Sequence, residues 1–349
     1  MKHWRLVSLV SLIAVFLSAC GNANQSALLP QGDVAKMQYD LMKLSTGIMV
    51  FVVAVVTVIF LYVVIKFRQR KGQEEIIPKQ VEGNHTLELI WTIIPIILLL
   101  VLAVPTVKYC FELSDQKQIA KEEQKKNSIV VNVNAHLFWW EFEYPKQKIV
   151  TSQDLIIPVG KKILINLKGQ DIKHAFWVPS LAGKLDTNVE NTNKMWLKAD
   201  KVGTYNGFCA EFCGPSHALM QFKVKVVSPE DYDQWLVAMK NQKGQATTAE
   251  AKEGQKVFQQ SCIACHAADA NDSRPATARI APNLANFGDR EMIAGIAAHN
   301  EENLKKWLKN PEKMKPGNLM TGKYGKNGYL TDQQIDSLTA YLMGLKVSK

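Results

Sequence analysis

No Ser/His/Asp set, phosphate-cradling glycine loop or paired-carboxylate site is evident in the 349 residues, so the chain offers no catalytic group of its own. It also lacks internal repeats and long low-complexity segments. Two long stretches after the N-terminal 40 residues are apolar and lack charge: Gly47 to Ile65 and Leu89 to Val107, each of 19 residues. A soluble helix of that length would normally keep a polar stripe, and each stretch matches the roughly 20 residues that cross a bilayer. The net charge of +10 comes without a compact basic motif carrying interleaved aromatics, which argues against nucleic acid. Membrane surfaces and acidic partners suit the scattered lysines better. Cysteine is scarce, six in all, yet two of the six stand close together in GFCAEFCGPSHALM.

Residues 1–19 read as a signal peptide of lipoprotein type. A basic start (Lys2, Arg5) precedes an apolar stretch too short to span comfortably. Leu17-Ser18-Ala19-Cys20 resembles a bacterial lipobox, in which Cys20 would be lipidated; an uncleaved anchor with an incidental cysteine is the alternative. An extracytoplasmic segment (20–43) then leads to a transmembrane helix over 44–68, a loop over 69–87 and a second transmembrane helix over 88–109. Lys66, Arg68, Arg70, Lys71 and Lys79 place the loop in the cytoplasm. What precedes and follows the hairpin therefore faces outward.

Residues 128–228 hold β-branched and aromatic runs (SIVVNVNAHLFWWEFEY, LIIPVGKKILINL, KMWLKAD, ALMQFKVKVV) broken by turn residues, which predict an all-β sandwich or barrel. Residues 229–249 read as a short helix and a flexible polar linker, KNQKGQATTAEA. Residues 250–349 form a separate helical domain. Thr331 and Gln334 predict a capping box, and Ile335, Leu338, Tyr341, Leu342 and Leu345 share one helix face.

Cys262-Ile263-Ala264-Cys265-His266 is the signature of covalent haem c attachment, with His266 as axial ligand. A redox dithiol or a structural disulfide are the alternatives. Met292, Met314, Met320 and His299 are candidates for the sixth position. Met320 is favoured because its Pro-Gly loop can present a side chain rigidly, whereas Met292 reads as helical core.

Cys209, Glu211, Cys213, His217 and Met220 make a second cluster. One thiolate, two imidazoles and a thioether would suit blue copper, but this cluster has one thiolate too many. Two thiolates can bridge two metals if a further histidine joins, and His174 in DIKHAFWVPS is the candidate. A Cys209–Cys213 disulfide or a zinc site are the alternatives; His136 reads as structural.

With these residues in place, resemblances emerge. Residues 250–349 resemble a class I cytochrome c: Gly254, Phe258, Leu338 and Tyr341 match its helix crossing, and its thioether ligand falls on Met320. CAEFCGPSHALM and DIKHAFWVPSLAGKLD resemble the binuclear copper (CuA) segments of cytochrome c oxidase subunit II, in the bacterial variant with a fused cytochrome c domain. That resemblance implies a multi-domain membrane protein: a two-helix transmembrane hairpin, an all-β cupredoxin-like barrel and an all-α class I cytochrome c domain. It implies bridging by Cys209 and Cys213, terminal imidazoles from His174 and His217, and weak ligation by Met220 and the Glu211 carbonyl. The Glu211 side chain would reach a magnesium or manganese ion at the boundary with subunit I. Glu88 falls where the family has a carboxylate at the mouth of a proton-uptake path, although an interfacial residue is the plainer reading. In the aromatic segment Leu137-Phe138-Trp139-Trp140, Phe138 replaces the family's usual electron-accepting tryptophan.

The expected function is electron relay in a haem-copper oxidase, from a donor through haem c to copper and on to the haem of subunit I, which reduces oxygen and pumps protons. Expected partners are subunit I, other oxidase subunits, membrane lipid and a donor such as a quinol-cytochrome c reductase or small cytochrome c. The expected location is the bacterial cell membrane, with the copper and haem domains outside. A nitric oxide reductase subunit, or a membrane-anchored copper-binding or electron-carrier protein, is the alternative. A quinol oxidase subunit of the same fold is disfavoured because every copper ligand is present.

Overall fold

The computed structural model describes residues 4, 7, 8, 10–12, 21–72, 77, 80–321 and 330–347. Cys20 and the rest of its Leu17–Cys20 motif lie outside the described residues, as does Lys79. The chain forms two compact units, one of residues 37–115 and one joining 1–36 to 116–349.

The smaller unit is carried by α1 (Asp33–Lys66) and α2 (His85–Ser114), the two described helices long and apolar enough to cross a membrane. Both run past the uncharged stretches, because polar residues at their ends keep helical conformation. Asn84 caps α2, its side chain accepting the Leu87 N–H at 3.2 Å. Val58, Phe60, Trp91 and Leu99 are exposed on these helices, a continuous apolar sheath that water does not favour.

The larger unit opens with residues 31–35 stitched to its β domain: Asp33 N–H donates to the Lys198 carbonyl, Ala35 N–H to that of Leu181, and Lys198 pairs with Asp33 at 3.0 Å. After α3 (Gln116–Glu123) come β1 (Ile129–His136), β2 (Trp139–Tyr144), β3 (Ile149–Ser152), β4 (Asp154–Pro158), β5 (Ile163–Gly169), β6 (His174–Trp177), β7 (Leu185–Thr187), β8 (Asn193–Leu197), β9 (Gly203–Cys209) and β10 (Gln221–Val227). They form two five-stranded sheets, ordered β3-β2-β1-β5-β8 and β4-β10-β9-β6-β7. Val131, Val133, Phe142, Ile165, Phe176 and Phe222 fill the space between them. The predicted run 128–144 is thus two strands, turning where His136 pairs with Trp139. β9 was not singled out by pattern, since GTYNGFC mixes glycine with polar residues. Its Gly207 is required by packing: a Cβ there would meet the Phe222 ring at 2.2 Å.

α4 (Pro229–Asn241) packs on the barrel, with Trp235 edge-on to Tyr144 at 5.3 Å. The last domain contains α5 (Ala249–Ser261), a two-residue strand pair β11 (Met292–Ile293) and β12 (Ala297–Ala298), α6 (Glu301–Lys309), α7 (Pro311–Met314) and α8 (Asp332–Met343). Met292, expected in a helix, lies on β11, because Ala294 and Gly295 both take positive φ and turn the chain back. α5 crosses α8 at Gly254, where a Cβ would sit 1.9 Å from the Ser337 carbonyl oxygen. The capping box at Thr331 is present. The linker is not a free tether: the Gly244 carbonyl accepts from Tyr341 Oη at 2.8 Å and from Gln255 Nε2 at 3.0 Å, and Gln242 donates to the Lys346 carbonyl.

Candidate metal centres

β9 and β6 lie side by side, with Phe176 opposite Cys209. β9 ends on Cys209, β6 starts on His174, and the loop after β9 carries Glu211 and Cys213. A single 3-10 turn (His217–Leu219) then brings in His217 and hands Met220 to the start of β10. Six donors converge. Cys209 Sγ and Cys213 Sγ lie 3.9 Å apart as free thiols. His174 Nδ1 is 3.9 Å from Cys209 Sγ, and His217 Nδ1 is 3.6 Å from Cys213 Sγ. Met220 Sδ stands 3.9 Å from Cys213 Sγ, and the Glu211 carbonyl oxygen 3.3 Å from Cys209 Sγ. Cys209, Cys213, His174 and Met220 are buried, while His217 and Glu211 are partly exposed.

Hydrogen bonds from neighbouring groups orient this set. His174 Nε2 meets Asp171 Oδ1 at 2.9 Å; a carboxylate accepts, so Nε2 carries the proton and Nδ1 keeps its lone pair toward the sulfurs. Asp171 also accepts the Leu137 and Ile172 N–H groups, at 2.6 and 2.7 Å. Burial is the largest single influence on both members and opposes their charge, but the hydrogen bonds and opposite charges around them together exceed it: Asp171 and Cys209 raise His174, and His174 with the Ile172 and Leu137 N–H groups lowers Asp171. The Cys213 thiol hydrogen-bonds Cys209 and holds it well below the usual thiol range. A metal would replace that shared proton. The donor set, two thiolates with two imidazoles and a thioether, fits soft copper. Asp171 had no assigned role from sequence; its place three residues before His174 was the available signal.

In the other domain, α5 runs into the Cys262 turn. His266 N–H donates to the Cys262 carbonyl at 2.9 Å and Cys265 N–H to the same oxygen at 3.1 Å, so both thiols and the imidazole share one turn. His266 Nδ1 donates to the Pro282 carbonyl at 2.8 Å, which leaves Nε2 as a ligand lone pair. This arrangement fits covalent haem. Met320 packs, half-buried, against the domain core, and its N–H donates to Asn318 Oδ1 at 3.0 Å. His299 instead packs on Phe287, with ring centroids 4.9 Å apart.

Residues 24–109 match the family described as "Cytochrome C oxidase subunit II, transmembrane domain", 146–227 its periplasmic domain, and 251–346 "Cytochrome c". The chain is 55% identical to cytochrome c oxidase subunit 2 of Bacillus sp. (strain PS3), covering 99% of this chain and 98% of that protein. The chain belongs to the cytochrome c oxidase subunit II family. Subunit 2 of Bacillus subtilis (strain 168) is 50% identical over 99% of this chain and 98% of its own length. A solved periplasmic domain of subunit II from Bradyrhizobium japonicum is similar at 26% identity, covering 32% of this chain and 94% of that one, with a TM-score of 0.31.

As a subunit II with a fused cytochrome c domain, the chain has domains that imply copper and haem c, and it works in a complex with other oxidase subunits, anchored in a membrane. Of the aromatic segment, Trp140 is core. It is fully buried, edge-on to His174 at 6.3 Å, and its Nε1–H donates to the Met220 carbonyl at 3.3 Å. Trp139 stacks on His136, 4.1 Å between rings. Phe138 is buried against Gly214 and Gly317. Glu88 sits, exposed, in the first turn of α2. Sequence reasoning missed Arg279. Its guanidinium grips Glu141 through two 2.9 Å hydrogen bonds and reaches Glu143 at 3.1 Å, joining the haem-type domain to the barrel. Asn286 and Asn283 add bonds to Thr151 and Ser152.

Proposed function

We propose that this chain relays single electrons in an oxygen-reducing haem-copper oxidase. It would take them from an external donor into a haem c held by Cys262, Cys265 and His266, with Met320 in the sixth position. It would then pass them to a binuclear copper site and on to a haem of subunit I. Cys209 and Cys213 would bridge the coppers, His174 and His217 would bind one each, and Met220 and the Glu211 carbonyl would complete the set. Bound in this way, the two groups supply one-electron chemistry. What the chain contributes is position: Asp171 fixes the His174 ring, Pro282 fixes that of His266, and burial keeps water from the thiolates.

The convergence of six donors, with both Nδ1 atoms turned to the sulfurs, carries this reading. The exposed Phe212, 80% accessible and edge-on to His217 at 5.8 Å, marks the face open to another subunit. The Glu211 side chain on the same loop would meet magnesium or manganese there. α1 and α2 would form the hairpin spanning the cell membrane, with loop 69–87 cytoplasmic, Glu88 near a proton-uptake mouth and Cys20 lipidated outside. Copper depletion is the test. The depleted complex should still accept electrons into its haem c and lose oxygen turnover with its near-infrared copper band; turnover that survives depletion refutes the relay order.

A further inference from the structure

The two domains of the larger unit meet through a corner that leads from one proposed ligand to another. Pro316 and Gly317 begin the turn that ends on Met320, and Asn318 folds that turn by accepting the Met320 N–H and donating to the Lys315 carbonyl at 2.7 Å. Opposite lies Ser216, the residue before His217. Its side chain is 0% exposed, and its hydroxyl donates to the Pro316 carbonyl at 2.6 Å. Glycine keeps the two loops close. A Cβ on Gly317, whose φ is +73°, would stand 3.0 Å from Pro215 Cγ and 3.7 Å from Phe138 Cε2. One on Gly214 would stand 3.2 Å from the Phe138 ring. From Met320 to His217, the connection is covalent except at the Ser216–Pro316 hydrogen bond.

We propose that this corner is the electron path between the two domains, and that Ser216 is the positioning residue that closes its single non-covalent step. The proposal rests on the relay reading above. Electronic coupling decays far more steeply across van der Waals gaps than along bonds, and here the gap between the two loops is bridged by a 2.6 Å hydrogen bond beside a ligand. Each event oxidises the haem side by one electron and reduces the copper side by one; no bond forms or breaks and no proton moves. Phe138 touches the same corner by packing alone, which makes it the rival route.

The test is flash photoreduction of haem c in the intact oxidase, following the copper near-infrared band, together with hydrogen exchange of residues 279–290 and 315–321. In Ser216→Ala the transfer rate should fall several-fold, with haem and copper potentials unchanged and residues 279–290 as protected as in the parent chain. Ser216→Thr, which keeps the hydroxyl, should recover the rate. A parent-like rate in Ser216→Ala overturns the proposal. So does a slow rate accompanied by loss of protection at 279–290, which would assign the effect to undocking. If the parent oxidase itself shows no copper band or no transfer, the relay reading fails instead.

Discussion

At the scale of single residues, the copper-type cluster depends on side chains that do not touch a metal. Asp171 accepts three hydrogen bonds and sets which nitrogen of His174 is free. Asp171→Ala should lower copper affinity about 10–100-fold, the usual effect of losing the carboxylate that holds a ligand imidazole in place, and competition with a graded chelator measures it. His136 is a second case. Burial pushes its pKa down to about 4, and its Nε2 has no hydrogen-bond partner among the described residues. The folded state therefore binds fewer protons than the unfolded chain between that value and the ordinary 6.5. Its stabilising contribution is complete above pH 6.5 and is lost as pH falls toward 4, a loss of ~3 kcal/mol. His136→Phe retains an aromatic ring over Trp139 and should lose less stability on acidification. Denaturant midpoints at neutral and acid pH test this, and equal acid losses in both chains would count against it.

At the scale of elements, legibility in the sequence followed distance along the chain. Cys209, Cys213, His217 and Met220 fall on one short loop, so their spacing alone announced a shared site. Cys262, Cys265 and His266 share one turn and were legible for the same reason. The capping box of α8 was equally local. β9 was not legible, because its glycines answer to Phe222 on the neighbouring strand rather than to any periodicity of their own. The linker misled through composition: its polar residues read as free chain, whereas the carbonyl of Gly244 takes donors from α5 and α8. The α5–α8 crossing brings the two backbones together at Gly254. Gly254→Ala forces a methyl into the Ser337 carbonyl and should destabilise the last domain by ~1–3 kcal/mol or more. Thermal unfolding followed at the haem absorbance would read that loss.

At the scale of the whole molecule, Arg279 and Glu141 are 138 residues apart and no pattern links them, yet both are buried together. Removing only the guanidinium strands a buried carboxylate, so Arg279→Met should weaken the unit by ~3–5 kcal/mol and open residues 242–248 to protease. Arg279→Met with Glu141→Leu removes both charges and should recover much of that loss, since a buried pair exchanged for apolar groups is often near neutral. Cleavage kinetics on the two variants separate these outcomes; identical kinetics would remove the pair from the account of docking.

The bound linker also governs kinetics. A domain on a slack leash reaches its target by diffusive search, with a rate set by leash length and solvent drag. Here the leash is hydrogen-bonded to its own domain, and that domain is fastened to the barrel. Hand-over inside this chain, unimolecular whatever the leash, should therefore also be indifferent to glycerol in the medium; only the arrival of outside reductant should slow as viscosity rises.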